Sequence, residues 1–125
     1  MKSKLAIVLW AASPVEPHLC SGPFMYAAAA AAMDAEVEIH FTAKSVELLV
    51  PGVAKVLYAD EARTKDIYSF MQDAAALGVR FLACSHSLAA HLPGQVEFIP
   101  ELTARAGAAA FVARALEPEW RVLSF

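Results

Sequence analysis

The sequence predicts an α/β fold, a parallel sheet with helices on both faces, and three observations carry that prediction. Leu5-Ala6-Ile7-Val8-Leu9-Trp10 is an unbroken apolar run with β-branched members, the pattern of a strand covered on both faces. Strand-like and helix-like segments then alternate to the end of the chain, which implies right-handed crossovers between parallel strands. The 125 residues show no linker, charge block or repeat, so residues 1–125 are expected to form one domain of common size.

Each element follows in turn. The first strand is Leu5 to Trp10, and the stretch Ala11 to Pro23, with three prolines and a glycine, is expected to be a long loop. Phe24 to Ala35 carries a run of alanines and predicts a helix of small side chains that can approach its neighbours closely. Glu36-Val37-Glu38-Ile39-His40-Phe41 alternates polar and apolar residues, which predicts a second strand with one face less buried. Ser45 to Val50 can form one or two helical turns before Pro51-Gly52, while Val53 to Tyr58 fits either a short extended piece or an irregular connection.

The clearest helix opens at Thr64-Lys65-Asp66, repeats apolar residues at Ile67, Phe70, Met71, Ala74 and Leu77, and stops at Gly78. Val79 to Ala83 is a short strand, after which Cys84-Ser85-His86-Ser87 turns into a helical segment over Leu88 to His91. Val96 to Ile99 is a candidate fourth strand, Thr103 to Leu116 reads as a helix with Gly107 inside it, and Trp120 to Phe125 closes the chain as a strand.

Composition excludes several function classes. The net charge is −3 and the ten Lys and Arg are scattered, so no basic footprint for nucleic acid exists. Two cysteines are too few for a disulfide-stapled secreted domain. Met1-Lys2-Ser3-Lys4 before Leu5 to Ala12 has the outline of a signal peptide. The apolar stretch is short, however, and cleavage would delete the first strand, so the expectation is a cytoplasmic chain with reduced thiols. No apolar run reaches the ~18 residues needed to span a bilayer, and no membrane association is expected. The hydrophobic content of 58% against 18% charged is hard to bury in a monomer of this size, which predicts a homo-oligomer.

Chemistry in parallel α/β sheets collects beyond the carboxyl ends of the strands. Cys84 falls there by pattern, at a helix start whose N–H groups favour thiolate. A thiolate so placed can hold sulfane sulfur as a persulfide, with Ser85, His86 and Ser87 as supporting donors; the competing reading is a small buried core cysteine. Cys20 lies in the loop after the first strand with Glu16 and His18, on the same predicted end of the sheet. It is either a second thiol or an incidental loop cysteine. His18, Cys20, Cys84 and His86 are a legitimate zinc donor set, but one intervening residue in each pair strains a shared tetrahedral site, so no metal is expected. His40 and His91 have still less to recommend them as ligands. Glycine-rich nucleotide loops, G-x-S-x-G and C-x-x-C are absent from the sequence, and no cofactor is expected.

With these segments in place the whole chain resembles the DsrE/DsrF-like family of sulfur-relay proteins, which includes proteins once labelled predicted peroxiredoxins. The likeness is carried by the apolar first strand and Ala-rich helix, by Ile39-His40-Phe41-Thr42 with Ser45-Val46-Glu47-Leu48-Leu49, and by Leu77-Gly78-Val79-Arg80-Phe81-Leu82-Ala83-Cys84. Ala106-Gly107 and the terminal Val122-Leu123-Ser124-Phe125 agree with it. The resemblance implies a three-layer α/β/α sandwich on a mainly parallel sheet of about five strands, often assembled as a trimer or hexamer. It implies Cys84 as the sulfur-accepting residue, supplied by a rhodanese-like or small sulfur-carrier protein and discharged to another carrier, in tRNA thiolation or sulfur oxidation. Cys20 and the Ser-His-Ser after Cys84, where many members have glycine, depart from the family pattern. Two other readings compete with a persulfide carrier: a non-catalytic oligomeric binding or assembly subunit with an inert cysteine, and a thiol peroxidase.

Overall fold

The apolar opening run becomes an interior strand of the sheet. In the computed structural model, which describes residues 2–125, β1 (Lys4–Leu9) pairs in parallel with β2 (Glu36–Phe41) on one side and β5 (Trp120–Ser124) on the other. β3 (Arg80–Ala83) adds to β2, and β4 (Leu102–Arg105) adds to β3. The order is β4-β3-β2-β1-β5 with every pair parallel. Met1, the first residue of the Met1-Lys2-Ser3-Lys4 stretch, lies outside the described residues.

Successive strand residues point to opposite faces, so the register sorts the sheet into two surfaces. Ile7, Leu9, Ile39, Phe41, Phe81 and Ala83 share one face and form the main core with α1 (Ser21–Ala32) and α2 (Ile67–Ala76). Phe24 from α1 stands 6.0 Å from Phe41 and 5.8 Å from Phe81, ring centre to ring centre. Such offset aromatic contacts add to the burial of the rings themselves. Ala27, fully buried, lets the α1 backbone close on the sheet. Asp66 caps α2 by accepting the Ser69 N–H at 2.8 Å. Gly78, at φ +93°, ends it in a left-handed turn that a side chain would strain.

The other face carries Ala6, Val8, Glu38, His40 and Leu82, and one helix, α4 (Ala108–Leu116), lies across it. The division follows from connection handedness. The crossovers from β1 through β4 step one way along the sheet and leave α1, α2 and the buried Leu88 of α3 (Ser85–His91) on the main-core side. The connection from β4 to β5 steps back, and the same hand puts α4 on the opposite side.

The sheet and its three layers agree with the sequence expectation, while several boundaries move. The fourth strand is Leu102–Arg105, not Val96–Ile99. Residues 96–99 run irregularly, anchored by buried Ile99, whose N–H reaches the Leu49 carbonyl at 2.9 Å. Pairing with Phe81, Leu82 and Ala83 overrides the helix propensity of Leu102 to Arg105, so the helix expected over Thr103 to Leu116 starts at Ala108 with Gly107 as its cap. β4 also carries a bulge, where the Thr103 hydroxyl accepts the Phe81 N–H at 3.3 Å. The long loop expected through Pro23 ends earlier, because α1 begins at Ser21; Pro23 fits its first turn, where an N–H is not needed. Residues 43–49 and 54–56 are short 3₁₀ turns. The second strand has no less-buried face: Glu38 and His40 are 0% and 4% exposed, because α4 covers them and supplies a charge partner.

Phe24→Ala should cost about 3–5 kcal/mol, the usual range for deleting a buried ring. Urea unfolding of the variant would show it as a lowered midpoint at unchanged slope.

Candidate functional site

All five strands end around one cavity. Trp10 follows β1, Thr42 follows β2, Cys84 follows β3, Ala106 and Gly107 follow β4, and Ser124 closes β5; each lines a void of about 480 Å³ beneath α4. This is the carboxyl edge of the sheet, and beside Cys84 the connection leaving β3 goes to one face while that leaving the adjacent β4 goes to the other. Val8 and His40 form its floor, and Phe111 and Val112 of α4 its roof. The indole N–H of Trp10 donates to Ser124 Oγ at 2.9 Å and fixes the ring at the rim.

Cys84 is the residue before α3 and is partly buried. Burial pushes its thiol up. The Ser87 hydroxyl and the N–H groups of Ser87 and His86 outweigh that and hold it below the ordinary cysteine value. Ser87 is itself buried, and its Oγ accepts the Ala43 N–H at 2.8 Å, leaving its own hydrogen free to donate to sulfur. Ala43 adopts a left-handed conformation, φ 51°, so a strained residue after β2 fixes the group that polarises Cys84. Ser85 and His86 are exposed on the first turn of α3.

The structure does not bring Cys20 to this cavity. Cys20 is the residue before α1, fully buried in the main core on the opposite face. Its thiol donates to the Ser13 carbonyl at 3.3 Å, and burial pushes it up to about 11 despite that bond. His18 is exposed, with Nδ1 3.6 Å from a Glu16 carboxylate oxygen; it borders a separate open depression lined by Tyr58, Asp60, Glu61 and Arg63. Among the described residues no group of three or more His, Cys, Asp or Glu could hold a metal, so His18, Cys20, Cys84 and His86 do not form one donor set.

The group that sequence reasoning missed is the charged cluster under α4. Glu38, wholly buried, accepts from Arg114 Nε and Nη2, both at 3.1 Å, and lies 3.2 Å from Arg80 Nη2. Its other neighbour is His40, with Nε2 3.1 Å from Oε1. Burial raises the Glu38 carboxyl, but the hydrogen bonds from Arg114 and His40 and the charges of Arg114 and Arg80 prevail and hold it below the carboxylate range. His40 is held below the usual imidazole value, chiefly by burial, with Arg114 and Arg80 adding to the effect and Glu38 opposing it. Phe111 meets its ring edge-on, centres 5.2 Å apart. The sequence signal was present: two ionisable residues two apart on one face of a strand must find partners if that face is covered.

A family model described as the DsrE/DsrF-like family matches residues 5–125. No curated protein sequence matches the chain. The crystal structure of the YchN protein from E. coli superposes with a TM-score of 0.73 at 12% identity, covering 100% of both chains. MTH1491 from Methanobacterium thermoautotrophicum, described as a protein of unknown function, gives 0.66 at 14% identity, covering 99% of this chain and 100% of its own. Among the described residues no helix is long and apolar enough to cross a membrane.

Two measurements check this geometry. Iodoacetamide at neutral pH should alkylate Cys84 while Cys20 stays unmodified in the folded chain, read by peptide mass; equal labelling would contradict the burial of Cys20. For the cluster, both Glu38 and His40 titrate lower in the folded chain than in the unfolded one, so the unfolded chain binds more protons and stability falls with falling pH. The melting temperature should decline below about pH 6.5 as unfolded His40 gains charge, and again below about pH 4.3. Glu38→Gln should remove the lower step and cost about 2 kcal/mol near pH 7, less than the roughly 3–5 of a sealed ion pair because both guanidiniums reach water.

Proposed function

The chain belongs to the DsrE/DsrF-like family, and on that premise we propose that Cys84 accepts sulfane sulfur as a persulfide and passes it to a partner carrier protein in a cytoplasmic sulfur relay. The observation that carries this reading is the environment of Cys84. Its thiol is lowered by Ser87 and His86 at the edge of a cavity, while the other thiol is sealed in the core and raised. The Cys84 thiolate attacks the outer sulfur of a donor persulfide, a new S–S bond forms, the donor's S–S bond breaks, and the donor leaves as a thiol. Donors of the rhodanese-like type, or a small sulfur-carrier protein that holds its sulfur as a cysteine persulfide, match this chemistry, since both present sulfane sulfur on a thiol that can leave. Delivery to an acceptor reverses the step and returns Cys84 to a thiolate. Ser85 and His86, exposed at the mouth of the site, are positioned to meet such a partner.

A homo-oligomer, a trimer or hexamer, is part of the same reading. Val15, Met33, Val96 and Leu116 are 70%, 82%, 84% and 78% exposed, apolar side chains outside the cavity that association would cover. The same surface supports a second reading, an assembly subunit whose cysteine is inert.

Incubation with a sulfane-sulfur donor followed by intact mass separates the two. The carrier reading expects an addition of one sulfur that is lost in Cys84→Ser and kept in Cys20→Ser; a Cys84 thiol titrating at or above the free value of ~8.5, with no addition, would establish the inert subunit instead. Light scattering on the eluted protein should give a trimer or hexamer, and a monomer at micromolar concentration would refute the assembly.

A further inference from the structure

The cavity beside Cys84 is far larger than sulfur needs. Its volume of about 480 Å³ falls in the roughly 300–1,000 Å³ range of small-molecule sites. Val8, Trp10, Phe111, Val112 and Val122 supply its apolar walls, and among the described residues no Asp, Glu, Lys or Arg lines it. A persulfide arriving on a charged carrier such as glutathione finds no counter-ion there. An apolar organic group finds continuous contact.

His40 adds a specific polar requirement. The Glu38 carboxylate, paired with two arginines, can only accept, so the 3.1 Å bond assigns the ring proton to Nε2 and leaves Nδ1 with a free lone pair. The ring is 4% exposed and makes no other hydrogen bond among the described residues. Nδ1 is nevertheless not one of the sealed, unpartnered polar atoms, and the space beside the ring is this cavity. A buried acceptor therefore faces a largely apolar chamber that also holds a thiol, its two hydroxyls being engaged, Thr42 by the Leu9 carbonyl and Ser124 by the Trp10 indole.

We propose that the cavity binds a low-molecular-weight organic hydropersulfide, R–S–SH with R apolar and uncharged, as a direct sulfur donor to Cys84, and that His40 is a catalytic residue that carries its proton. This deepens the reading of Cys84 as sulfur acceptor and rests on it. With no cation among the described residues of its lining, and Arg80 and Arg114 already paired with Glu38, the chamber disfavours the donor's perthiolate anion and holds the neutral, electrophilic form. The S–H hydrogen bonds to His40 Nδ1. The Cys84 thiolate forms a bond to the terminal sulfur while the R–S–S bond breaks. The S–H proton passes to Nδ1, giving an imidazolium beside the Glu38 carboxylate, and from there to the departing R–S⁻. The products are R–SH and Cys84–S–S⁻, whose charge is held by the same Ser87 and His86 donors that favour the thiolate, with no external oxidant or reductant.

Benzyl hydropersulfide and glutathione hydropersulfide present the same S–SH group on an apolar and on a charged body. Persulfidation of Cys84, followed by intact mass after alkylation, should be at least about tenfold faster with the benzyl donor, the contribution of burying its ring. Ala108→Trp, which fills the cavity from the exposed first turn of α4, should bring the two rates to within about twofold. His40→Gln should slow transfer from the benzyl donor while saturable binding of benzyl mercaptan, followed by NMR on the Cys84→Ser background, persists. Equal rates for the two donors, or no saturable binding of benzyl mercaptan, would overturn the cavity proposal and leave Cys84 as acceptor from proteins. Failure of both donors to modify Cys84 would overturn the acceptor reading and the His40 step together.

Discussion

The hand of the β-α-β crossover is the constraint on which the rest of this structure depends. Each crossover must be right-handed, so three connections in one direction load α1, α2 and α3 onto one face, and the single return connection sends α4 to the other. One surface of the sheet is therefore packed by interlocking aromatic rings and the other is roofed by nine residues of helix. The cavity beneath that roof is a consequence of topology before it is a feature of any side chain. Cys84 belongs to it because β3 ends one strand away from the middle of the carboxyl edge.

A thin roof needs an anchor, and Glu38 supplies it. A carboxylate buried in the floor of the sheet would be costly alone, but the bidentate grip of Arg114 converts it into the fixed point that orients α4. Arg114 also lies 4.4 Å from the centre of the Trp120 ring, so one side chain joins the helix to both β2 and β5. The same carboxylate sets the tautomer of His40. Stability and chemistry on this face are consequently hard to separate: loosening α4 would open the cavity and free the imidazole at once.

The fold was legible in the sequence wherever periodicity and punctuation agreed. β1 and β2, α2 between Asp66 and Gly78, and the strand-turn-helix around Cys84 all follow from apolar spacing and cap residues. The edge strand Leu102–Arg105 was not, because its residues are half-exposed or exposed and owe their conformation to the partner strand. At the site, Cys84 and Ser87 could be placed together because they are three residues apart. Cys20 could be assigned to the loop region after β1 but not to a face of the sheet, since that depends on how early α1 begins. His40 stayed invisible as a cavity residue because its neighbours Arg80 and Arg114 lie 40 and 74 positions away, a separation no local pattern encodes.

The bulge in β4 blunts one edge of an apolar chain's sheet. A flat, regular edge strand offers unpaired N–H and C=O groups to any other chain and invites open-ended growth. Here the outermost strand on that side is four residues long, its register slips between Phe81 and Leu82, and a Thr103 hydroxyl stands where a ladder carbonyl would be. The backbone there is a poor template for a sixth strand. Edge-to-edge pairing, which would extend into fibres, is disfavoured on this side of the sheet.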